Sequence, residues 1–378
     1  MGEFLYAVFK EVPLALLIII ACFSLIILFY YLYFFLRIHF WKPKKSTFKP
    51  PVSIIVCARN EENNLMNFLP KLLAQEYPNF EVVVVNDRSW DKSLDILTAY
   101  QVKHKDKLKI VNLDEDHIND RGKKLALTIG IKAARYEHLL LTDADCYPES
   151  NQWISRMMEG YEDGENSMVL GYSPFEKHEG FLNKLIRTDG FFVAFNYLSF
   201  ALAGVPYMGV GRNMSYTKSL YFKSGGFRTH YHIRSGDDDL FVNSLKKVKI
   251  GVALHEDSFV KTIPATSLKQ WAKQKQRHFT TAVHYRFLHR FLLALYPTAL
   301  FGFLISLFPL FVYENGIYIA IAFFMTKSLF QMLIFMHPMK KLKQRDLIVI
   351  FPFLEYINLF LQSFNYIRQS QYKPIQWN

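Results

Sequence analysis

Apolar positions along the chain fall into two regimes. Between residue 50 and about residue 145, short apolar runs end in polar turns and lead into amphipathic stretches. Val52-Ser53-Ile54-Ile55-Val56-Cys57 is a β-rich run, and after the turn Ala58-Arg59-Asn60-Glu61-Glu62-Asn63 come Leu65, Phe68, Leu69 and Leu72 at helical spacing. Asn60 is of the type that caps a helix. The pattern repeats at Phe80-Glu81-Val82-Val83-Val84-Val85 with a helix over 93–102, then with a strand over 108–111 and a helix over 122–135 leading to a central strand, Leu139-Leu140-Leu141. Strands alternating with helices of this length predict an α/β domain with a mostly parallel, doubly wound sheet. The second regime is unbroken: apolar blocks at 12–36, 291–312, 317–335 and 347–367 are each long enough to cross a bilayer.

Flanking charges give these blocks a direction. The first is followed by Arg37, His39, Lys42, Lys44 and Lys45, with neither a basic segment before it nor a small-residue cleavage site after it, which predicts a retained transmembrane helix. Tyr313-Glu314-Asn315-Gly316 holds no basic residue, whereas the next gap holds Lys340, Lys341, Lys343 and Arg345. The positive-inside rule then places the central domain in the cytoplasm, with four crossings. Pro352, Glu355, Asn358 and Asn365 weaken the last block, which could instead be interfacial or re-entrant. The expected organisation is a membrane anchor over 1–45, a cytoplasmic domain over 46–288 and a membrane region over 289–378 with two to three helices. Of 378 residues, 51% are hydrophobic, and 45 basic against 33 acidic residues give a net charge of +12. Because the basic excess gathers beside the apolar blocks, a bilayer surface is the expected partner and nucleic acid is not. Cys22, Cys57 and Cys146 have no metal or disulfide spacing, and Cys146 reads as packing.

Chemistry concentrates where the strands end. A parallel sheet gathers the carboxyl ends of its strands along one edge, so Ala58 to Glu61, Asp87, Asp143 and Asp145 would share one crevice. In extended backbone Asp143 and Asp145 point the same way and suit a hard divalent cation, although Asp-x-Asp alone is commonly a solvated turn. Asp87 could accept from a uracil-type ring N–H, or simply cap the next helix. Arg121-Gly122-Lys123-Lys124 could meet a diphosphate, and Gly209-Val210-Gly211-Arg212-Asn213 could line a sugar pocket. The aromatic stretch 181–206, with Lys184, Arg187 and Asp189, fits an interfacial helix or a core helix equally. Gly236-Asp237-Asp238-Asp239 sets three carboxylates side by side, and their repulsion raises at least one pKa toward the range of a general base. Last comes the basic amphipathic segment Gln270 to Phe279, which would also serve as a membrane-surface helix.

With these segments in order, the chain resembles the membrane-bound inverting glycosyltransferases of family 2, whose fold is GT-A, over roughly residues 50 to 285. The resemblance implies a nucleotide pocket made by Ala58, Asn60 and Glu61, with Asp87 on the base. It makes Asp143 and Asp145 the DxD pair that meets the diphosphate and Mg²⁺ or Mn²⁺. Gly236-Asp237-Asp238 resembles the acidic base motif, with Asp238 as the base; aligning on the following hydrophobic residues selects Asp237 or Asp239 instead. Gln274-x-x-Arg277-His278 resembles QxxRW with His278 in place of tryptophan, and Arg277 would stabilise the departing UDP. Asn86 replaces the first aspartate of the family's frequent Asp-Asp pair. The implied activity is single-displacement transfer from a nucleotide-sugar, in the first instance a UDP-sugar, to a lipid acceptor at the cytoplasmic face of a bacterial plasma membrane. Two other readings accompany it: a processive polysaccharide synthase, for which four spans are few, and a non-catalytic membrane scaffold, which would not need to keep its acidic positions.

Overall fold

The computed structural model describes residues 12–44, 46–113, 122–233 and 235–368. They form two compact units, a helical one made of residues up to Phe40 together with Arg286–Ser363, and a sheet-based one over Trp41–Tyr285. The helical unit opens with α1 (Leu14–Phe40), whose aromatic run Tyr30–Phe35 forms a wider π turn.

The sheet unit runs β1 (Val52–Ala58), α2 (Glu62–Leu73), β2 (Phe80–Asp87), α3 (Ser93–Lys103), β3 (Leu108–Leu113), α4 (Lys123–Ala133), β4 (His138–Asp143) and β5 (Cys146–Pro148). It continues through α5 (Trp153–Glu159), β6 (Met168–Gly171), α6 (Phe181–Leu202), β7 (Met214–Thr217), α7 (Lys218–Lys223), α8 (Asp239–Ser244), β8 (Ile250–Ala253), β9 (Val260–Thr262) and α9 (Leu268–Ala282). The main sheet has seven strands in the order β3-β2-β1-β4-β7-β6-β8, and β5 pairs with β9 beside it. Only β7 runs against its neighbours, so the sheet is mostly parallel, as the alternation of strands and helices predicts.

Every residue of β1 and β2 is buried, the signature of strands covered on both faces. Two polar residues among them are satisfied locally: Ser53 Oγ donates to Glu81 Oε1 at 2.6 Å, and the same oxygen accepts from the Arg135 amide at 2.5 Å. On one face Val52, Ile54, Val56, Val82, Val84 and Leu140 pack against Leu65, Leu69 and Leu72 of α2 and against Trp153 and Tyr161. Register pairs Ala58 with Asn86 and Cys57 with Asp143, so β1, β2 and β4 end level with one another. That alignment makes the crevice.

One open reading narrows and one expectation changes. The stretch 181–206 forms α6 with fourteen residues buried, Asn183, Arg187 and Asp189 among them, burial that fits the core-helix reading. Asn60 does not cap α2: it stands in the left-handed region at φ 55°, while Glu61 is the residue before the first helical turn. Its side chain instead accepts from the Trp90 amide at 3.1 Å.

After the sheet unit come α10 (Phe287–Val312) and α11 (Gly316–Lys341), which with α1 are the three described helices long and apolar enough to cross a membrane. The 347–367 block becomes α12 (Phe351–Arg368), 18 residues that fall short of a span. The reason is its polar content: Glu355 is buried and accepts from Lys327 Nζ and Gln331 Nε2, each at 2.8 Å, and from the Tyr296 hydroxyl at 2.6 Å.

Candidate active site

At the ends of β1 and β2 the two following loops are stitched together. The Asn60 and Glu61 amides donate to Ser89 Oγ and Ser93 Oγ at 3.0 and 2.9 Å, and Asp91 accepts from the Glu62 amide at 3.1 Å. Arg59 lies over the exposed Trp90 ring at 5.6 Å. Asp87 is fully buried at the end of β2; Arg88 holds Oδ1 at 2.6 Å, and among the described residues Oδ2 has no hydrogen-bond partner. Glu61 faces the same crevice, and its carboxyl is pushed up to about 7 by burial, with Asp145 and Asp143 adding to the shift against the Asn64 hydrogen bond.

Beyond β4 the carboxylates converge on one ammonium group. Lys123, at the first turn of α4, places Nζ 2.6 Å from Asp143 Oδ1 and 3.1 Å from Asp237 Oδ2. Partial burial works against its charge, but Asp143, Asp237 and Asp238 outweigh it and hold Lys123 well above the usual lysine range. Lys124 takes another course: it is buried, with Nζ on the carbonyls of His230 and Ile233 at 2.6 and 2.7 Å, so it braces the loop leading to Gly236 and does not face a diphosphate. Arg121 lies outside the described residues.

The three adjacent aspartates have separate partners. Asp238 accepts from the Gly211 amide at 2.9 Å and the Asp239 amide at 2.7 Å. Burial, then Asp237 and Asp239, pushes its carboxyl up to about 7, the shift that three neighbouring carboxylates predict. Asp239 is tied to the end of α9 and the turn after it, accepting from the Thr281 hydroxyl and from the Tyr285 hydroxyl at 2.7 Å. Asp237 points at Lys123, and this pairing outweighs burial to hold its carboxyl below the usual range. On α9, Arg277 and His278 are exposed and Gln274 is half-buried, while Lys275 pairs with Asp189.

Residues 53–225 match the profile described as Glycosyl transferase family 2. This stretch is a family 2 glycosyltransferase domain. The chain is also 35% identical over 94 residues to a poly-β-1,6-N-acetyl-D-glucosamine synthase of Staphylococcus epidermidis, and 31% identical over the same length to that of Staphylococcus aureus. These matches cover 25% of the chain and 21% of each relative, so the chain spans about a fifth of the curated relatives it matches. Among solved structures, a mannosyltransferase from Pyrobaculum calidifontis, in complex with GDP-Man and Mn²⁺, superposes with a TM-score of 0.59 at 18% identity, covering 93% of this chain and 97% of its own. The shared fold is GT-A.

The transferase domain has a donor set that fits a divalent cation. Ligand atoms of Asp143, Asp145 and Cys146 lie within 4.8 Å of one another. Carboxylate oxygens suit a hard ion and the thiol does not, because burial and then Asp145 hold Cys146 protonated, and its sulfur donates to Asp145 Oδ1 at 3.3 Å. Asp145, at the crevice lip, is raised by desolvation and next by Asp143, a repulsion that a cation would relieve. Sequence reasoning passed over Thr281, Tyr285 and Arg212. The first two carry no local motif; Arg212 sits in the glycine turn singled out for a sugar pocket, without a role of its own.

Proposed function

We propose that this chain is a metal-dependent, inverting glycosyltransferase that moves a sugar from a nucleotide-sugar, in the first instance a UDP-sugar, to a membrane lipid at the cytoplasmic face. The observation that carries this reading is the position of Lys123, which ties Asp143 of the DxD pair to Asp237 of the acidic motif across one crevice. Donor and base groups from distant segments thus stand within reach of one substrate.

Asp87 would take the base edge through its open oxygen, and Glu61 would border the nucleotide pocket. Asp143 and Asp145 would hold Mg²⁺ or Mn²⁺, which supplies positive charge to the diphosphate leaving group when bound. Lys123 would turn from its carboxylates to the donor phosphates, and Arg277 would add charge to the departing nucleotide. That movement releases Asp237, the aspartate whose side chain is otherwise uncommitted, to take the proton of the attacking hydroxyl. Asp238 and Asp239 then act as the fasteners of the loop and of α9, which shifts the preferred base from Asp238 to Asp237. One base and one leaving group on opposite sides of the anomeric carbon require no covalent intermediate, so the configuration inverts.

A processive polysaccharide synthase is the second reading, favoured by the 94-residue match to the staphylococcal synthases. The experiment is nucleotide release by the detergent-purified chain over a panel of UDP- and GDP-sugars with Mn²⁺ or Mg²⁺, with and without a total lipid extract. Lipid-stimulated release from one donor, lost in Asp145→Asn, supports the lipid transferase. Release independent of added lipid, with product growing in length, supports the synthase; no release and no metal-dependent nucleotide binding leaves the scaffold.

A further inference from the structure

Arg212 is a cation to which the proposed reaction gives no task. It lies in the single turn Gly211–Asn213 between α6 and β7, and its backbone is held on both sides. Gly211 donates to Asp238, while the fully buried Asn213 accepts from Trp153 Nε1 at 3.0 Å and donates to the Tyr172 and Ser258 carbonyls at 2.7 and 2.8 Å. The guanidinium rests 5.1 Å over the Phe175 ring. That ring is itself seated: a Cβ on Gly190 would fall 2.6 Å from Phe175 Cδ2. Arg212 Nε is shielded from solvent without a hydrogen-bond partner, and among the described residues no carboxylate pairs with the side chain. The turn stands beside the crevice: a Cβ on Gly211 would lie 3.5 Å from Lys123 Nζ and 3.6 Å from Asp237 Oδ2, and Phe175 bridges Thr262, the register partner of Cys146 next to Asp145.

A planar guanidinium fixed by stacking, with its donors free, is matched to a phosphate, which it can grip with two parallel hydrogen bonds. We propose that Arg212 grips a phosphate group of a bound substrate, either in the donor's diphosphate or on a phosphorylated acceptor; this rests on the transferase reading above. Phosphate is the anion that transfer from a nucleotide-sugar brings to this crevice.

The test measures binding of UDP and GDP with Mn²⁺, of the free nucleosides uridine and guanosine, and of farnesyl phosphate to the full chain in detergent, for wild type, Arg212→Gln and Arg212→Lys. Loss of one phosphate contact weakens binding by about tenfold or more. If the donor supplies the phosphate, Arg212→Gln weakens the diphosphate and leaves the nucleoside unchanged; if the acceptor supplies it, farnesyl phosphate weakens and the diphosphate does not. Arg212→Lys keeps the charge but not the stack, and falls between. Gly190→Ala, which displaces Phe175 and leaves Arg212 intact, should weaken the same ligand and stands in if Arg212→Gln fails to fold. The inference is overturned if every arm matches wild type within about twofold. A wild type that binds neither diphosphate with Mn²⁺ fails at an earlier point and sinks the transferase reading with it.

Discussion

Replacing Lys123 with methionine removes the ammonium group that pairs with Asp143 and Asp237 and acts on Asp238. At 2.6 and 3.1 Å each contact is worth roughly 5 to 6 kcal/mol of Coulomb attraction at an effective dielectric of about 20. Most of that is offset by desolvation, and removing one partner of a buried pair typically costs about 3–5 kcal/mol. The Lys123 side chain is 23% exposed, so solvent screening reduces the expected loss to about 2–4 kcal/mol. For a unit of this size that lowers Tm by roughly 4–8 °C. A divalent ion at Asp143 and Asp145 replaces much of the missing charge. Lys123→Met should therefore melt well below wild type in EDTA and recover more than wild type does on adding Mn²⁺. Without nucleotide it should also bind Mn²⁺ more tightly, since Lys123 no longer competes for Asp143, while turnover falls. The assay is thermal unfolding in detergent across a Mn²⁺ titration. A drop below about 2 °C in EDTA, or one that Mn²⁺ leaves unchanged, would refute the reasoning.

Other expectations follow from the same contacts. The Asp238 carboxyl, raised to about 7 in the folded chain from an ordinary value near 4, contributes stability below pH 4 that is lost as pH rises through 7; Asp238→Asn should raise Tm more at pH 8 than at pH 5, and an equal gain at both would contradict this origin. Tyr285→Phe deletes one of the two hydroxyls on Asp239 and should lower Tm with KM for the acceptor rising more than KM for the donor, because the turn that ends α9 loses a fastener; an unchanged acceptor KM would show that this tether does not set the acceptor site. In the helical unit, Glu355→Gln leaves Lys327 without an anion and should cost about 3–5 kcal/mol, whereas a paired change of Lys327 and Glu355 to apolar residues should restore most of it; thermal aggregation in detergent reads both.

The fold was legible where one physical rule dominates the chain. Strands buried on both faces are mostly apolar runs, so β1, β2 and β4 announced themselves, and the polar residues that stop them marked the crevice. Short strands with mixed composition did not: β6, β7 and β8 hold four residues each, and β7 enters the sheet antiparallel through pairings no local pattern encodes. Side-chain allegiance was hidden too. Lys123 and Lys124 are adjacent and chemically alike, yet one faces carboxylates and the other backbone carbonyls, a division set by the turn into α4 and by a loop more than a hundred residues on. Likewise the three aspartates at 237–239 are alike in sequence, and only their partners Lys123, Gly211 and Thr281 separate them. Asn60 was misread for a related reason: a residue type that caps helices also tolerates positive φ, and tertiary contact with Trp90 decided which.

The central claim is that Asp237 and the DxD pair act together on one nucleotide-sugar to glycosylate a lipid. The most direct measurement is transfer of a labelled sugar from the donor that the chain turns over into a total lipid extract, comparing wild type, Asp237→Asn and Asp238→Asn, with the anomeric configuration of the product read by NMR. The account predicts a discrete, inverted glycolipid from wild type, about a hundredfold to ten-thousandfold less from Asp237→Asn as base catalysis is lost, and a smaller loss from Asp238→Asn. Full transfer by Asp237→Asn, a retained configuration or a product of long chains would contradict it.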